Sequence, residues 1–233
     1  MGTPSRNFLI YLGLWVALLL GSPGCERSTS PEPASGYDYF PLISGQSAEY
    51  EVTETTYALA QSPSIRTYKV RETTGVPYTD ASGQSVYPLE RARKNTQGEW
   101  AVDSVFLAWR TVNQAVRVEN GATWVKLQFP TYEGTRWNGN AFNTQPEQTY
   151  QITAFNKAVK TSFGTYDKTL TVVQQNDSTL LSLRRSQEIY AENIGLIQRE
   201  RTFVQYCGTP DCRGKGIIEY GFTQRITLTD YTK

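Results

Sequence analysis

The loop that begins at Trp137 carries the side chains best suited to hold a small ligand. It reads Trp137-Asn138-Gly139-Asn140. An indole ring stacks on sugars and other rings, and the amide groups of Asn138 and Asn140 could orient ligand hydroxyl groups by hydrogen bonding. A structural role is the alternative, because a Trp at a barrel end usually fills the core and Asn-Gly is a strong turn signal. Trp137, Asn138 and Asn140 are therefore our candidate ligand-binding residues.

A second chemistry to consider is acid–base catalysis by paired carboxylates, as in glycosidases. The acidic residues on predicted strands include Glu90, Asp103, Glu119 and Glu192. Nothing in their spacing brings two of them together, and surface ion pairs with Arg91, Arg117 or Arg199 explain them better. The chain contains no His, which excludes Ser-His-Asp and Cys-His catalysis and His-based metal sites. We therefore expect a non-enzymatic protein with no catalytic residues, no metal and no cofactor.

The N-terminus has the form of an export signal. Arg6 is the only charged residue before Glu26, and an uninterrupted apolar run covers residues 8–20. A charged start followed by a short apolar segment is typical of a secretory signal peptide, and this run is short for a membrane span. Gly-Ser-Pro-Gly then precedes Cys25. Small residues directly before a Cys resemble the lipobox of bacterial lipoproteins, although Ser22 stands where that box usually has Leu.

The lipobox resemblance implies cleavage before Cys25 and acylation of that residue; an ordinary signal peptide with an incidental Cys is the alternative. Paired acyl chains hold a protein stably at a bilayer. The next segment is rich in Ser and Pro and has almost nothing to bury, so we expect a disordered tether. The predicted organisation is a signal peptide at residues 1–24, a tether at 25–36 and a single β-domain at 37–233. We expect export and lipid anchoring in the cell envelope, in the outer rather than the inner membrane.

Beyond Cys25, the sequence has only the pair Cys207 and Cys212, which encloses Gly-Thr-Pro-Asp. A redox-active or metal-binding pair is the alternative, but the spacing is not Cys-x-x-Cys and no further ligands are in sight. An exported chain meets an oxidising compartment, which favours disulfide formation. We therefore predict a disulfide between Cys207 and Cys212 that closes the tip of a β-hairpin.

The formal net charge of +1 at pH 7 limits the class of partner. It argues against a nucleic-acid-binding protein and against a polybasic membrane patch. The partners we expect are the membrane, through the N-terminal lipid anchor, and an envelope protein, lipid or glycan whose identity the sequence does not give.

The segments that must position these residues have the pattern of β-strands. In residues 123–129 apolar and polar side chains alternate, with Leu127 on one side and Lys126 on the other, as in a strand with one buried face. Pro130 should end this strand, because it cannot donate a hydrogen bond to a neighbour. Asn120-Gly121 predicts a tight hairpin between residues 114–119 and this strand.

Further hairpins follow from the same kind of pattern. Residues 86–94 should pair with residues 100–109, and residues 215–229 should pair back across the Cys207–Cys212 tip. We expect residues 188–204 to form one strand, bulged at 193–195. The sequence thus predicts an all-β fold, an antiparallel curved sheet of about ten strands that forms a barrel or half-barrel with little or no helix.

Several phrases of the sequence together resemble a known group of proteins. They are Tyr39-Phe40-Pro41-Leu42, Leu89-Glu90-Arg91, Trp137-Asn138-Gly139-Asn140 and Ile189-Tyr190-Ala191-Glu192-Asn193-Ile194-Gly195-Leu196-Ile197. Over most of the mature chain they resemble uncharacterised exported lipoproteins of the Bacteroidota. That group looks distantly like the half-barrels that carry lipoproteins across the periplasm, which is an analogy of fold. The resemblance implies no particular reaction.

Three functions follow as hypotheses. The first is a lipid-anchored lipoprotein of the cell envelope with a non-enzymatic binding or structural β-domain. The second is a carrier of a lipid or another apolar ligand inside a half-barrel, which requires a dry interior cavity. The third and least favoured is a carbohydrate-active enzyme, which requires two facing carboxylates in a cleft.

Overall fold

A computed structural model describes residues 36–232 together with Gly2. Apart from Gly2, the predicted signal peptide lies outside the described residues, and so do Cys25, the predicted acylation site, and nearly all of the predicted tether. Residues 36–232 belong to one compact unit, and both apolar clusters lie within it. This segment therefore has an apolar core of its own, as an independently folding domain requires. In the part of the chain that the structure describes, no helix is long and apolar enough to cross a membrane.

The domain consists of thirteen strands and one short 3₁₀-helix, Tyr37–Tyr39. The first seven strands are β1 (Ser47–Tyr57), β2 (Ser64–Thr74), β3 (Tyr78–Thr79), β4 (Ser85–Lys94), β5 (Trp100–Arg110), β6 (Gln114–Glu119) and β7 (Ala122–Gln128). The remaining six are β8 (Arg136–Asn138), β9 (Thr149–Lys160), β10 (Thr165–Ser178), β11 (Ser182–Ala191), β12 (Gly195–Tyr206) and β13 (Ile218–Thr232). The all-β prediction is confirmed, and β3 and β8, of two and three residues, are strands that the sequence did not predict.

The strands form one antiparallel sheet in the order β7-β6-β5-β4-β2-β1-β13-β12-β11-β10-β9-β8, with β3 paired to β4. The two ends of this order approach each other. The Val125 amide donates to the Gly139 carbonyl at 3.0 Å, and the Trp137 indole donates to the Val125 carbonyl at 2.8 Å. The sheet is therefore nearly closed into a barrel, which protects its edge strands from pairing with other chains.

Most of the predicted hairpins are confirmed. Strands β4 and β5 pair, β6 and β7 pair across Asn120-Gly121, and β12 and β13 pair across the Cys207–Cys212 tip. The prediction of a single bulged strand over residues 188–204 is wrong, because β11 and β12 form a hairpin there. Asn193 and Gly195 have φ angles of 62° and 93°, and such left-handed conformations turn the chain rather than bend it.

Two bulges change which side chains face the barrel interior. Leu127 pairs with Ala115 and Val125 with Val116, so Lys126 has no opposite residue on β6. Likewise Val173 pairs with Gln187 and Gln175 with Ser186, so Gln174 has no opposite residue on β11. A bulge re-aims the extra side chain. Simple alternation predicts Lys126 on the solvent side of its strand, but the side chain is buried.

Apolar packing fills one end of the interior. The larger cluster joins the chain entry at residues 39–42 to both ends of the sheet. It includes Tyr39, Phe40, Leu42, Leu89, Phe106, Leu127, Phe129, Trp137, Tyr150, Ile152, Leu170, Val172 and Tyr190. A second cluster packs around Tyr50, Val52 and Ile197. Burial of these side chains supplies the main driving force for closing the sheet.

Candidate functional site

A network of buried charges borders the apolar core, and Glu188 is at its centre. Glu188 is fully buried. One of its carboxylate oxygens accepts hydrogen bonds from Lys126 Nζ at 2.7 Å and from Arg199 Nε at 2.6 Å. The other accepts a hydrogen bond from the Tyr190 hydroxyl at 2.5 Å. Each oxygen of this carboxylate thus has a protein donor, as a buried charge requires.

Arg199 extends the network to a second carboxylate, Glu119. Arg199 donates to Glu119 at 3.3 Å, and Arg117 Nε lies 2.6 Å from the same oxygen. Arg117 then donates twice to Glu72, at 3.0 and 2.7 Å, in the bidentate geometry that suits a guanidinium. Three carboxylates and three cations from five strands therefore neutralise one another inside the sheet.

The electrostatics keep both central carboxylates ionised. Burial opposes ionisation of Glu188, but the charges of Lys126 and Arg199 outweigh it and lower the pKa of Glu188 to about 2. Burial also acts against ionised Glu119, yet Arg199 and Arg117 hold the pKa of that carboxyl well below its usual range. Burial and the Glu188 charge raise the pKa of the Tyr190 hydroxyl, so Tyr190 remains a hydrogen-bond donor to Glu188.

Two small cavities, of about 70 and 120 Å³, adjoin this network. Small-molecule sites usually measure about 300–1,000 Å³. These cavities are therefore too small for an organic ligand, and the network is best explained as part of the interior packing.

A larger cavity, of about 590 Å³, lies on the inner face of the sheet next to the network. Three cross-strand pairs of β11 and β12 connect the network to this cavity. They are Glu188 with Arg199, Ser186 with Arg201, and Arg184 with Phe203. Opposite residues of an antiparallel pair project to the same face. On this face of the strand pair, the buried ion pair and the cavity wall are therefore only four residues apart.

Polar groups without protein partners face this cavity. Gln174 is 5% exposed and lines it. Its Oε1 accepts from the Ser186 hydroxyl at 2.8 Å, but its Nε2 has no hydrogen-bond partner among the described residues. Arg201 also lines the cavity, and burial together with the neighbouring Arg199 charge lowers its pKa. A buried donor without an acceptor is uncommon in a native structure and calls for an explanation.

Aromatic rings form the other part of the cavity lining. Trp124, Phe203 and Phe222 all contribute to it. The rings of Phe203 and Phe222 lie 5.4 Å apart with an interplanar angle of 32°, and 39% of Phe222 is exposed. The cavity therefore offers an apolar wall beside its polar groups, which is the usual composition of a small-molecule site.

The predicted ligand-binding residues lie close to this cavity in different environments. Trp137 is 7% exposed, and its ring packs edge-on against Tyr150 with the centroids 5.9 Å apart. Asn138 accepts hydrogen bonds from the backbone amides of Asn140 and Gln148. Asn140 donates to the Pro146 carbonyl and lines the cavity. The geometry of Trp137 and Asn138 is that of a packed turn, and their role in ligand binding stays a prediction.

The turn itself depends on Gly139. A Cβ atom at that position would lie 2.3 Å from the Tyr150 ring, so only Gly lets the backbone approach the ring this closely. The turn residues of the loop therefore seat Trp137 and Tyr150 in the core and leave Asn140 beside the cavity.

The other acidic candidates are spread over the surface. Asp103 lies 3.8 Å from Arg91 and 3.6 Å from Arg93, and Glu192 pairs with Lys168 at 3.0 Å. Glu90 is exposed. Of these four acidic residues, only Glu119 enters the interior, where it meets Arg117 and Arg199. Both are among the three arginines suggested from the sequence, but the prediction of a surface ion pair is wrong for Glu119 because its side chain is buried.

The predicted disulfide between Cys207 and Cys212 is confirmed. Glu219 lies close to both sulfur atoms, a grouping that could hold a metal ion if the thiols were free. A disulfide provides no thiolate ligand, so these three residues do not form a metal site while the disulfide is intact.

Sequence reasoning missed Glu188, Gln174 and Arg201, which shape the interior. Glu188 and Arg201 lie in stretches of mixed polar and apolar residues that resemble ordinary amphipathic strands. Gln174 reaches the interior only because of a bulge, and nothing in the local pattern Val-Val-Gln-Gln marks its position. The only feature of the sequence that could have indicated a buried charge network was the presence of acidic and basic residues on neighbouring predicted strands.

Comparison with known proteins finds no matching family model and no matching curated protein. Similar solved structures include a predicted lipoprotein from Parabacteroides distasonis, with 10% identity and a TM-score of 0.42, covering 86% of this chain and all of that one. Another is a predicted exported protein with a YmcC-like fold from Bacteroides fragilis, with 14% identity and a TM-score of 0.37, covering 83% of this chain and 98% of that one. Both organisms belong to the phylum that the sequence resemblance named. At these TM-scores the likeness assigns no function to the chain.

Proposed function

We propose that this chain is a lipid-anchored lipoprotein of the cell envelope whose β-domain binds a small ligand in the 590 Å³ cavity and catalyses no reaction. The anchor and the export rest on the apolar N-terminal segment and the lipobox-like residues before Cys25. The binding role rests on the cavity and on the polar groups that line it without protein partners.

The observation that carries the binding role is the unpaired Nε2 of Gln174 in the cavity wall. An unpaired buried amide destabilises a fold by about 1–3 kcal/mol. In the described part of the ion network beside it, the one buried side-chain donor without a hydrogen bond is Arg117 Nε, and that atom lies 2.6 Å from a Glu119 carboxylate oxygen. No such partner is present for Gln174 Nε2 among the described residues. If a bound ligand accepts a hydrogen bond from Gln174 Nε2, this explains why that atom has no partner within the protein.

The carboxylates support a non-enzymatic role. A glycosidase acid needs a raised pKa so that it carries a proton at working pH. Burial opposes ionisation of Glu119 and Glu188, but neighbouring cations lower the pKa of both carboxyls. Each is also occupied by ion pairs within the protein. Neither carboxyl is therefore suited to give a proton to a substrate.

A carrier of a wholly apolar ligand fits the cavity less well. Its lining includes Lys126, Gln174 and Arg201 beside the aromatic rings. Burying these polar groups against a hydrocarbon surface alone would cost free energy, because their hydrogen bonds with water would be lost without replacement.

Native mass spectrometry of the full-length protein extracted from its own envelope tests both parts of the proposal. We expect an acylated Cys25 at the new N-terminus and a co-purifying small molecule. Gln175→Trp places a large side chain in the cavity wall and should abolish the small-molecule mass, while Gln97→Trp, in an exposed turn, should retain it. An unmodified Cys25 would contradict the anchor, and a mass that survives Gln175→Trp would contradict the cavity.

A further inference from the structure

We propose that the cavity binds an amphiphilic organic anion, with its oxyanion group held by Arg201 and Gln174 and its apolar body against Phe203, Phe222 and Trp124. This inference rests on the proposed function, because it names the chemical class of the ligand for the same cavity.

The charges around the cavity favour an anion. Its described lining contains three cations, Lys126, Arg184 and Arg201, and a single carboxylate, Glu119. Glu119 is already paired with Arg117 and Arg199, and Lys126 is paired with Glu188. Arg184 and Arg201 form neither an ion pair nor a side-chain hydrogen bond within residues 36–232. The cavity therefore has an excess of positive charge that an oxyanion would neutralise.

Hydrogen-bond donors are placed for the same group. Arg201 lies opposite Ser186 in the β11–β12 register, and the Ser186 hydroxyl donates to Gln174 Oε1 at 2.8 Å. This hydrogen bond occupies the acceptor of Gln174 and leaves the donor Nε2 free. The Arg201 guanidinium and the Gln174 Nε2 both line the cavity and both offer N–H donors, which suits a carboxylate or a phosphate.

The aromatic side of the cavity fits an apolar body. Phe203 lies two residues beyond Arg201 on β12, and it pairs in register with Arg184 on β11 and with Phe222 on β13. Phe222 is 39% exposed, which places this wall at the outer part of the cavity. The charged group of a bound amphiphile would therefore lie deep, beside the ion network, and its chain would extend toward solvent along the rings.

Isothermal titration calorimetry of the domain, residues 36–233, tests the ligand class with sub-micellar probes. Decyl phosphate and decanoate should bind, and decyltrimethylammonium, which has the same chain and the opposite charge, should not. Inorganic phosphate separates a free anion from an amphiphile headgroup, and we expect it to bind at least about tenfold more weakly than decyl phosphate because it buries no chain.

Variants locate the two parts of the site. Arg201→Gln should weaken decyl phosphate binding roughly tenfold or more, since a hydrogen bond to a charged group is lost, and Arg201→Lys, which keeps the charge, should weaken it less. Phe222→Ala should weaken decyl phosphate and leave inorganic phosphate unchanged. Arg136→Gln, an exposed arginine on β8, is the matched control and should bind as the wild type does. Circular dichroism confirms that each variant is folded.

The outcomes separate this inference from the proposed function. Equal binding of the cationic amphiphile, or full affinity in folded Arg201→Gln, would overturn the assignment of an anion. If no anionic probe binds but a small-molecule mass still disappears in Gln175→Trp, the cavity is a binding site for another class of ligand. If no probe binds and no mass co-purifies, both proposals fail.

Discussion

Arg199 and Arg201 lie two residues apart on the same face of β12, yet only Arg199 forms ion pairs with the buried carboxylates. Arg199 donates to Glu188 and to Glu119 inside the ion network. Arg201, one step along the strand, faces the large cavity and has no ion-pair partner among the residues described. We call the ion network around Arg199 the complete set, because its charges are paired within the protein. We call Arg201 and the Gln174 amide the incomplete set, because they line the cavity without such partners within residues 36–232.

This difference indicates how one polar interior can both stabilise the fold and offer groups for ligand binding. A buried charge network contributes to a unique fold when its members are satisfied, whereas removing one partner is strongly destabilising. Polar groups left unsatisfied beside such a network are rigidly positioned, because the strands that carry them are fixed by their neighbours. Two members of the network, Glu119 and Lys126, line the cavity beside Gln174 and Arg201.

The largest expected effect comes from breaking the complete set. Arg199→Gln would leave Glu188 and Glu119 buried with too few cations, and we expect it to lower the free energy of unfolding by roughly 3–5 kcal/mol. Arg201→Gln removes a charge without a partner and should change it by less than about 1 kcal/mol. Urea denaturation of both variants measures the difference, and equal losses would contradict the distinction between the two arginines.

Acid should weaken the complete set in a defined direction. Burial alone would raise the pKa of Glu188, but Lys126 and Arg199 lower it from 4.5 to about 2. A carboxyl with a lowered folded-state pKa stabilises the fold above its unfolded-state pKa, and this contribution is lost as pH falls from there through the folded-state pKa. We expect a loss of about 3 kcal/mol from Glu188 over this range. Urea midpoints from neutral pH downward should fall more steeply in the wild type than in Glu188→Gln.

The hairpin tip at the β12–β13 connection should contribute less. Replacing both Cys207 and Cys212 by Ser removes the constraint on a short loop, and the expected cost is about 2 kcal/mol. Because the tip lies outside the ion network, the acid dependence of the double variant should match that of the wild type. A thermal-denaturation series at several pH values checks both statements, and a changed acid dependence would link the tip to the network.

The smallest effect on stability should come from the incomplete set. Gln174→Leu combined with Ser186→Ala removes the unpaired Nε2 of Gln174 together with both members of the hydrogen bond between Ser186 and Gln174 Oε1, and replacing both members of a hydrogen bond by apolar groups is nearly neutral or stabilising. We expect an unfolding free energy within about 1 kcal/mol of the wild type and a loss of decyl phosphate binding. A destabilisation as large as that of Arg199→Gln would show that Gln174 is structural.

The sequence predicts the class of fold well and the interior poorly. Alternation, Asn-Gly turns and the Cys207–Cys212 spacing act locally, so β6–β7 and the disulfide tip could be predicted from them. The ion network depends on contacts between residues far apart in the chain, such as Lys126 with Glu188. Its geometry also depends on bulges, which shift a side chain to the other face without a clear change in local pattern.

The role of the Trp137 loop also could not be decided from the sequence. Its residue types suit both ligand binding and a packed turn, and only tertiary contacts separate the two. The indole of Trp137 donates to the Val125 carbonyl on β7, and such a contact between the ends of a sheet cannot be read from spacing. The tryptophan that lines the cavity is Trp124, which simple alternation places on the same side of its strand as Lys126.

Two-dimensional proton–nitrogen NMR of residues 36–233 during a titration with decyl phosphate compares the cavity wall with the packed turn at Trp137 in one experiment. The side-chain amide of Gln174 and the indole of Trp124 should shift with saturation, because both line the cavity. The indole of Trp137, hydrogen-bonded in the core, should not. Binding that moves Trp137 and leaves Gln174 unchanged would contradict the assignment of the cavity as the ligand site.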